Sequence, residues 1–437
     1  MKYPWTLSIA QAAALLVLAA TSLHAEVLVL DEDAAAALAA EKDTVTASAR
    51  VDALAGERRV GIANNFLLPS LTAGVAVTEQ VTSEVDATMA GVARLSSVLN
   101  LSASDFKAKD TIAREARALS LQERAAVERI ERDARTAFYR LILLSQQVSL
   151  AESAVEVARE GAERTAVEYR NGLSSERVKR QSEVYLEIEK LALERIRAEL
   201  TIAMIGFRSL LGIPEGTELS LAGDLEAPPF VVDRSMVADL SLRTDLALVA
   251  ARLAVQESLR AEDRLTRRVP SLSLSAVASS TVADLFPGAG ADPLSDRAVS
   301  AASLTVTLSS PNLTAFLPFS KEVETSAKLR DAEIKLGLDG AELLRKARIE
   351  VETLLAELEV SRLALDSLKE ALSLADEVVS LTTEAYAVGA ASYQDLRIAE
   401  KDLDKARLDA VEERYRYLST IIDLEYAVGR RLRPAKE

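Results

Sequence analysis

One skeleton, Tyr-x-x-Gly-x-x-Ser, occurs twice in this chain, as YRNGLSS from Tyr169 and as YAVGAAS from Tyr386, 217 positions apart. Each copy interrupts a long run of helix-favouring, charge-rich sequence, and glycine lets a chain leave a helix through backbone angles denied to other residues. Upstream of each break apolar residues recur every seventh position. They are Val127, Ala134, Leu141, Val148, Val155, Ala162 and Tyr169 in the first half, and Leu344, Val351, Leu358, Leu365, Leu372, Val379 and Tyr386 in the second. The offset of 217 relates every pair. A sustained heptad lays one stripe against a neighbouring helix and favours left-handed supercoiling. Ordinary amphipathic helices would account for the heptads but not for their identical phase relative to the glycine.

After each break the helical pattern resumes and stops at Gly212 (LLGIP) and Gly429 (AVGRR), again 217 apart. Both halves therefore read as long helix, tight turn, return helix. Aromatic residues make up 4% of the 437 positions, too few for a conventional globular core, which favours long helices packed side by side.

Ahead of each helical hairpin the period changes to two. LPSLTAGVAVTEQ alternates Leu71, Ala73, Val75 and Val77 with small or polar residues, and VPSLSLSAVASS does the same with Leu272, Leu274, Ala276 and Ala278. A second alternating segment follows each, at Leu95 to Ser104 and Ala302 to Ser310, so each half holds a strand pair. The prolines that open them, Pro69 and Pro270, are 201 apart, and the Pro/Gly-rich stretch Leu285 to Arg297 is the expected site of the extra residues, a longer hairpin loop.

These segments give a domain plan: residues 1–25 a signal peptide; 26–212 repeat 1, with a helix at about Asp31 to Gly61, a strand pair over 68–104 and a helical hairpin over 106–212; 213–233 a Pro/Gly-rich linker; 234–429 repeat 2, with a helix at about Ser235 to Arg268, a strand pair over 269–310 and a helical hairpin over 321–429; 430–437 a tail. The signal peptide rests on Lys2, the apolar run Ala12 to Ala20 and the small-residue site ending at Ala25. The apolar run is short for a spanning helix of ~20 residues. Two strand pairs supply four strands with one apolar face, and a closed barrel built from several copies would satisfy their edges in a membrane.

Other chemistry is poorly supported. With no cysteine, and with its single histidine, His24, in the signal peptide, the chain lacks thiol nucleophiles and the usual soft metal ligands, and no lipid can be attached through Cys. GAGAD at Gly288 to Asp292 lacks the setting of a phosphate loop, and Glu/Arg alternation such as ERIERDAR is the solvated face of a coiled coil. A net charge of −15 argues against a nucleic-acid partner. The chain reads as a non-enzyme that needs no cofactor and no metal.

This layout resembles the TolC-like outer-membrane efflux proteins, and most specifically in YAVGAASYQDLRIAEKDL, which is similar to that family's periplasmic tip. The resemblance implies a mainly α fold with a small β-barrel part: a two-fold internal repeat of long helical hairpins forming an α-barrel coiled coil, and β-hairpins from a homotrimer forming a 12-stranded barrel. It implies a channel-tunnel running from the bacterial outer membrane into the periplasm, the exit duct of a tripartite efflux pump or type I secretion system, working with a periplasmic adaptor and an inner-membrane transporter. The first long helix, 64 residues from Phe106 to Tyr169, would extend roughly 95 Å. By the same resemblance Tyr169, Gly172, Leu173, Ser175, Tyr386, Gly389, Ala390 and Ser392 belong to the adaptor-docking tip, and Asp395 to a ring of carboxylates constricting the pore. Asp395 has a second reading, as the third helical residue after the N-cap Ser392.

The chain departs from the family pattern at Val178, where an aspartate is common, and at Ala391, where an arginine is. Arg177 or Arg180 pairing with Asp395 or Glu400 across helices is the expected substitute gate. The aromatic girdle is thin: Phe66, Phe106, Phe286, Phe316 and Phe319. The competing reading is a secreted periplasmic coiled-coil protein, structural or adaptor-like, without a barrel.

Overall fold

The computed structural model describes residues 28–65, 70–81, 87–214, 217, 219–226, 237, 239–240, 242–283, 299–309 and 320–432. The expected signal peptide, the expected hairpin loop at Leu285 to Arg297, and Phe66, Phe286, Phe316 and Phe319 lie outside them. In chain order the elements are β1 (Leu28–Leu30), α1 (Glu32–Lys42), α2 (Thr44–Ala63), β2 (Ser70–Val81), β3 (Ala87–Leu101), α3 (Ala103–Arg170), α4 (Glu176–Leu211), β4 (Leu219–Leu221), α5 (Thr244–Arg268), β5 (Ser271–Ala283), β6 (Val299–Ser309), α6 (Lys321–Ala387) and α7 (Tyr393–Val428). They fall into two compact units, each drawing on both halves of the sequence.

One unit comprises residues up to Ala47, Val127–Leu240 and the chain from Ile349. Its core is built where α3, α4 and α7 meet: Phe138, Leu141 and Ile142 from α3, Phe207 and Leu211 from α4, Leu418 and Ile422 from α7. Ala35 and Ala39 of α1 pack into the same cluster, small side chains that let α1 lie close. Arg135, buried in α3, bridges two carboxylates at 2.6 Å each, Glu32 of α1 and Glu425 of α7. Tyr139 donates a further hydrogen bond to Glu32, and the amide of Leu432 one to Glu425, so no oxygen of the bridge is left to burial alone.

Two expectations are corrected here. The single helix expected over Asp31 to Gly61 is two, because Asp43 ends α1 and its carboxylate accepts from the amide of Thr46, starting α2. The linker at 213–233 contains β4, which pairs in parallel with β1 from Leu28↔Leu219 to Leu30↔Leu221. Three-residue strands leave too little alternation to be seen in sequence.

The other unit comprises Ser48–Ala126 and Ser241–Arg348. Its four-stranded antiparallel sheet has the order β2-β3-β5-β6, so the strand pairs of the two halves join through β3 and β5 from Ala90↔Ala283 to Leu101↔Leu272. The register puts Leu71, Leu95, Leu272, Leu274, Leu304, Val306 and Leu308 on one face, all exposed, and the Ser/Thr-rich alternates on the other. β3 is longer than the expected Leu95 to Ser104 because its pairing runs back to Ala87. The helix expected from Ser235 begins at Thr244. Arg50 of α2 reaches Glu123 of α3 at 3.3 Å, Thr111 of α3 meets Ser258 of α5 at 2.8 Å, and Arg260 of α5 pairs with Glu333 of α6 at 2.7 Å.

Candidate functional site: the two hairpin tips

Both tips are made by the same backbone device. At the end of α3 the amide of Gly172 donates to the carbonyl of Tyr169 (3.0 Å) and that of Leu173 to Glu168 (2.8 Å); at the end of α6 Gly389 donates to Tyr386 (3.0 Å) and Ala390 to Ala385 (2.8 Å). This is a Schellman closure, which requires a left-handed residue, and the two glycines have φ of +72° and +78°. The return helices then start on Ser175 and Ser392, each an extended N-cap whose hydroxyl accepts from the amide three residues on. Gly212 and Gly429 close α4 and α7 with the same pair of bonds.

The side chains differ sharply. In the first tip Lys179 lies 5.6 Å from the centroid of the Tyr169 ring, Leu173 is 79% exposed, and Arg180 reaches Glu176 one turn earlier at 2.7 Å, both in solvent. In the second tip Asp395 accepts from both the amide (2.9 Å) and the hydroxyl (2.7 Å) of Ser392, completing a capping box. Those bonds, the hydroxyl first, hold the Asp395 carboxyl below its ordinary range. Tyr393 follows the cap, its ring 6.3 Å from that of Tyr386 and its buried hydroxyl facing Gly161.

Near the tips two polar contacts join the hairpins. The Tyr386 hydroxyl of α6 lies 3.0 and 3.1 Å from the two carboxylate oxygens of Glu168 on α3, and burial together with that carboxylate pushes the phenol up to about 12. Arg397 of α7 stacks 3.6 Å from the centroid of the Tyr185 ring on α4 and pairs with Glu400 on its own helix. Burial, opposed by Arg397, raises the Glu400 carboxyl, and burial raises the Tyr185 phenol as well.

The expected cross-helix pairs of Arg177 or Arg180 with Asp395 or Glu400 are not formed within the chain. Arg180 is taken by Glu176, Asp395 turns back onto its own cap, and Glu400 is taken by Arg397. Each finds a partner within one helical turn, a shorter reach than the gap between hairpins. Glu168, Tyr185, Tyr393 and Arg397 were not anticipated. Arg397 stands 217 positions after Arg180, so the repeat itself held the signal for one of them.

Comparison with protein-family models and with curated proteins gives no match. Solved structures do match over nearly the whole chain. The outer membrane protein VceC of Vibrio cholerae is 16% identical with a TM-score of 0.75, covering 91% of this chain and 96% of that one. The CmeC outer membrane channel of Campylobacter jejuni gives 16% and 0.76 over 91% and 85%, and the MtrE outer membrane channel of Neisseria gonorrhoeae, in its open state, 19% and 0.74 over 92% and 89%. The chain has the fold of these outer membrane channels.

Proposed function

We propose that three copies of this chain form a channel across the bacterial outer membrane that extends into the periplasm and passively conducts substrates outward, as the exit duct of a tripartite efflux pump or type I secretion system. The observation that carries this reading is the four-stranded sheet with an exposed leucine face and β2 and β6 as open edges. Only a closed barrel satisfies strand edges in lipid, and the smallest such barrels have about eight strands, so four must be completed by other copies. Three copies give the 12-stranded barrel that the resemblance implies. The open stripe Val184, Ile188, Leu191, Ile202 and Ile205 along α4 suits packing against helices of the next copy.

At the tips, exposed Leu173 and Val388 with Tyr169 and the basic Arg177 and Arg180 offer the adaptor an apolar patch with a charged rim. Asp395, exposed beside its cap, would stand once per copy in a carboxylate ring favouring cations. Tyr386–Glu168 and Arg397–Tyr185 would hold the second hairpin against the first in the closed tunnel. No catalytic step belongs to this reading.

Planar bilayers and mass in detergent test it. Discrete, cation-preferring conductance from a trimer is expected, whereas a water-soluble, non-conducting species would sink the channel and favour a periplasmic coiled-coil protein.

A further inference from the structure

The junctions between helices and strands carry a charge arrangement that neither the tips nor the bore uses. Register brings the start of β2, the end of β3, the start of β5 and the end of β6 to one end of the sheet, with Ser70 opposite Val98, Leu101 opposite Leu272 and Ser271 opposite Ser309. The adjoining helices are tied there too: Thr111 of α3 bonds Ser258 and Glu262 of α5, and Arg267 near the end of α5 donates to the carbonyl of Glu322 at the start of α6.

Lys109 of α3, Arg268 at the last position of α5 and Lys321 at the first position of α6 are exposed at this end, and none makes an ion pair among the described residues. Arg264, one turn before Arg268, is exposed and donates to the carbonyl of Arg260. The neighbouring acids are engaged instead. Asp110 is held by Lys107 at 3.0 Å, Asp263 by Arg267 at 3.0 Å, Glu324 by Lys328 at 2.6 Å, and Asp105 accepts from the amide of Ser102 at 3.0 Å. With Asp110, Asp263 and Glu324 neutralised by their partners, the four cations Lys109, Arg264, Arg268 and Lys321 outnumber the remaining carboxylates of these turns, Asp105, Glu262 and Glu322, on a chain whose net charge is −15.

Directly next to these cations the exposed leucine face begins, at Leu71, Leu272 and Leu308. Phe106, also exposed, stands in the first turn of α3. An apolar belt followed within a turn or two by long cationic side chains matches the order of acyl chains and headgroups in one leaflet.

We propose that Lys109, Arg264, Arg268 and Lys321 form a collar that binds the phosphates of anionic phospholipid headgroups and so sets how deeply the sheet sits in the membrane. The proposal rests on the barrel reading above. With aromatic anchors scarce, the collar takes over the positioning that a girdle of rings supplies elsewhere.

The full chain would be inserted into vesicles of phosphatidylcholine alone and of phosphatidylcholine mixed with phosphatidylglycerol, and the lipids retained would be counted by native mass spectrometry. The triple substitution Lys109→Gln, Arg268→Gln and Lys321→Gln would be compared with a control triple on exposed helical positions, Lys369→Gln, Lys401→Gln and Lys405→Gln. Each cation near an anionic leaflet is worth about fivefold in partitioning, so the collar triple should lose about tenfold or more of the preference for phosphatidylglycerol while the control keeps it. Equal losses in both triples, or no preference in the unmodified chain, would overturn the collar with the barrel intact. Displacement of the bound lipid by inorganic phosphate would make the site a plain anion site and also overturn it. Failure to insert into either vesicle would instead remove the barrel reading on which the collar stands.

Discussion

The two tips share a backbone and differ in everything hung on it. Both glycines are left-handed, both serines cap, and the closing hydrogen bonds agree to the precision given, 3.0 and 2.8 Å in each. Yet Arg180 and Glu176 of the first tip pair in open solvent, whereas Arg397 and Glu400, of which Arg397 is the repeat counterpart of Arg180, are drawn in against Tyr185. A turn is specified by one or two residues and survives duplication; the surroundings of a side chain are specified by a neighbour and diverge freely. The first tip is thereby left as a surface and the second becomes a fastening between hairpins.

Removing the arginines should expose that difference most strongly. Arg397→Ala takes away the ring stack and leaves the half-buried Glu400 carboxylate without its partner, a loss of roughly 2–3 kcal/mol. Arg180→Ala breaks an exposed pair within one helix and should cost less than about 0.5 kcal/mol. Thermal midpoints of the two variants in detergent make the comparison; equal shifts would mean that the Tyr185 stack contributes nothing. The glycines should behave in the opposite way. Gly172→Ala and Gly389→Ala each force a side chain into a left-handed turn with open space around it, so both should lose about 1–2 kcal/mol, and equally.

What was legible in sequence follows the same line. The glycine turns, the serine caps and the return helices are local, so YRNGLSS and YAVGAAS announce them, and the alternation after Pro69 and Pro270 announces strands. The break at Asp43 was local too, but it lies inside an alanine-rich run whose helix propensity hides a single capping carboxylate. Partners between hairpins were not legible. The repeat counterpart of Glu168 is Ala385 and that of Tyr185 is Asp402, so the periodicity that revealed the architecture carries no trace of the contacts. The cross-helix arginine pairs do not form within the chain for the converse reason, since Arg180, Asp395 and Glu400 each have a nearer partner on their own helix.

Tyr386→Phe sharpens the comparison at smaller cost. It deletes only the hydroxyl that lies against Glu168, worth about 1 kcal/mol, or somewhat more because the acceptor is charged. Tyr169→Phe should be silent, because Tyr169 meets Lys179 through its ring rather than through its hydroxyl. If the hairpin contact fastens the closed tunnel, single-channel recordings should show a higher open fraction in Tyr386→Phe and none in Tyr169→Phe. Matching traces from the two variants would separate the contact from gating.

The smallest effect should come from the capping box, which only the second tip possesses. The Asp395 carboxyl is held below its ordinary range by the hydroxyl and then the amide of Ser392, so its ionised form is favoured by folding. A depressed acid contributes its stabilisation fully above the ordinary carboxylate value of about 4 and loses it as pH falls through the lower folded value. Unmodified protein should therefore exceed Asp395→Asn in thermal midpoint by a constant margin at neutral and mildly acidic pH, with the margin shrinking only below about pH 4. Val178, the counterpart in the first tip, cannot titrate, so Val178→Asn should change the midpoint by the same amount at every pH. A margin for Asp395→Asn that instead grows as pH falls from neutrality would place its carboxyl among other negative charges, as a ring of three would, rather than on its cap.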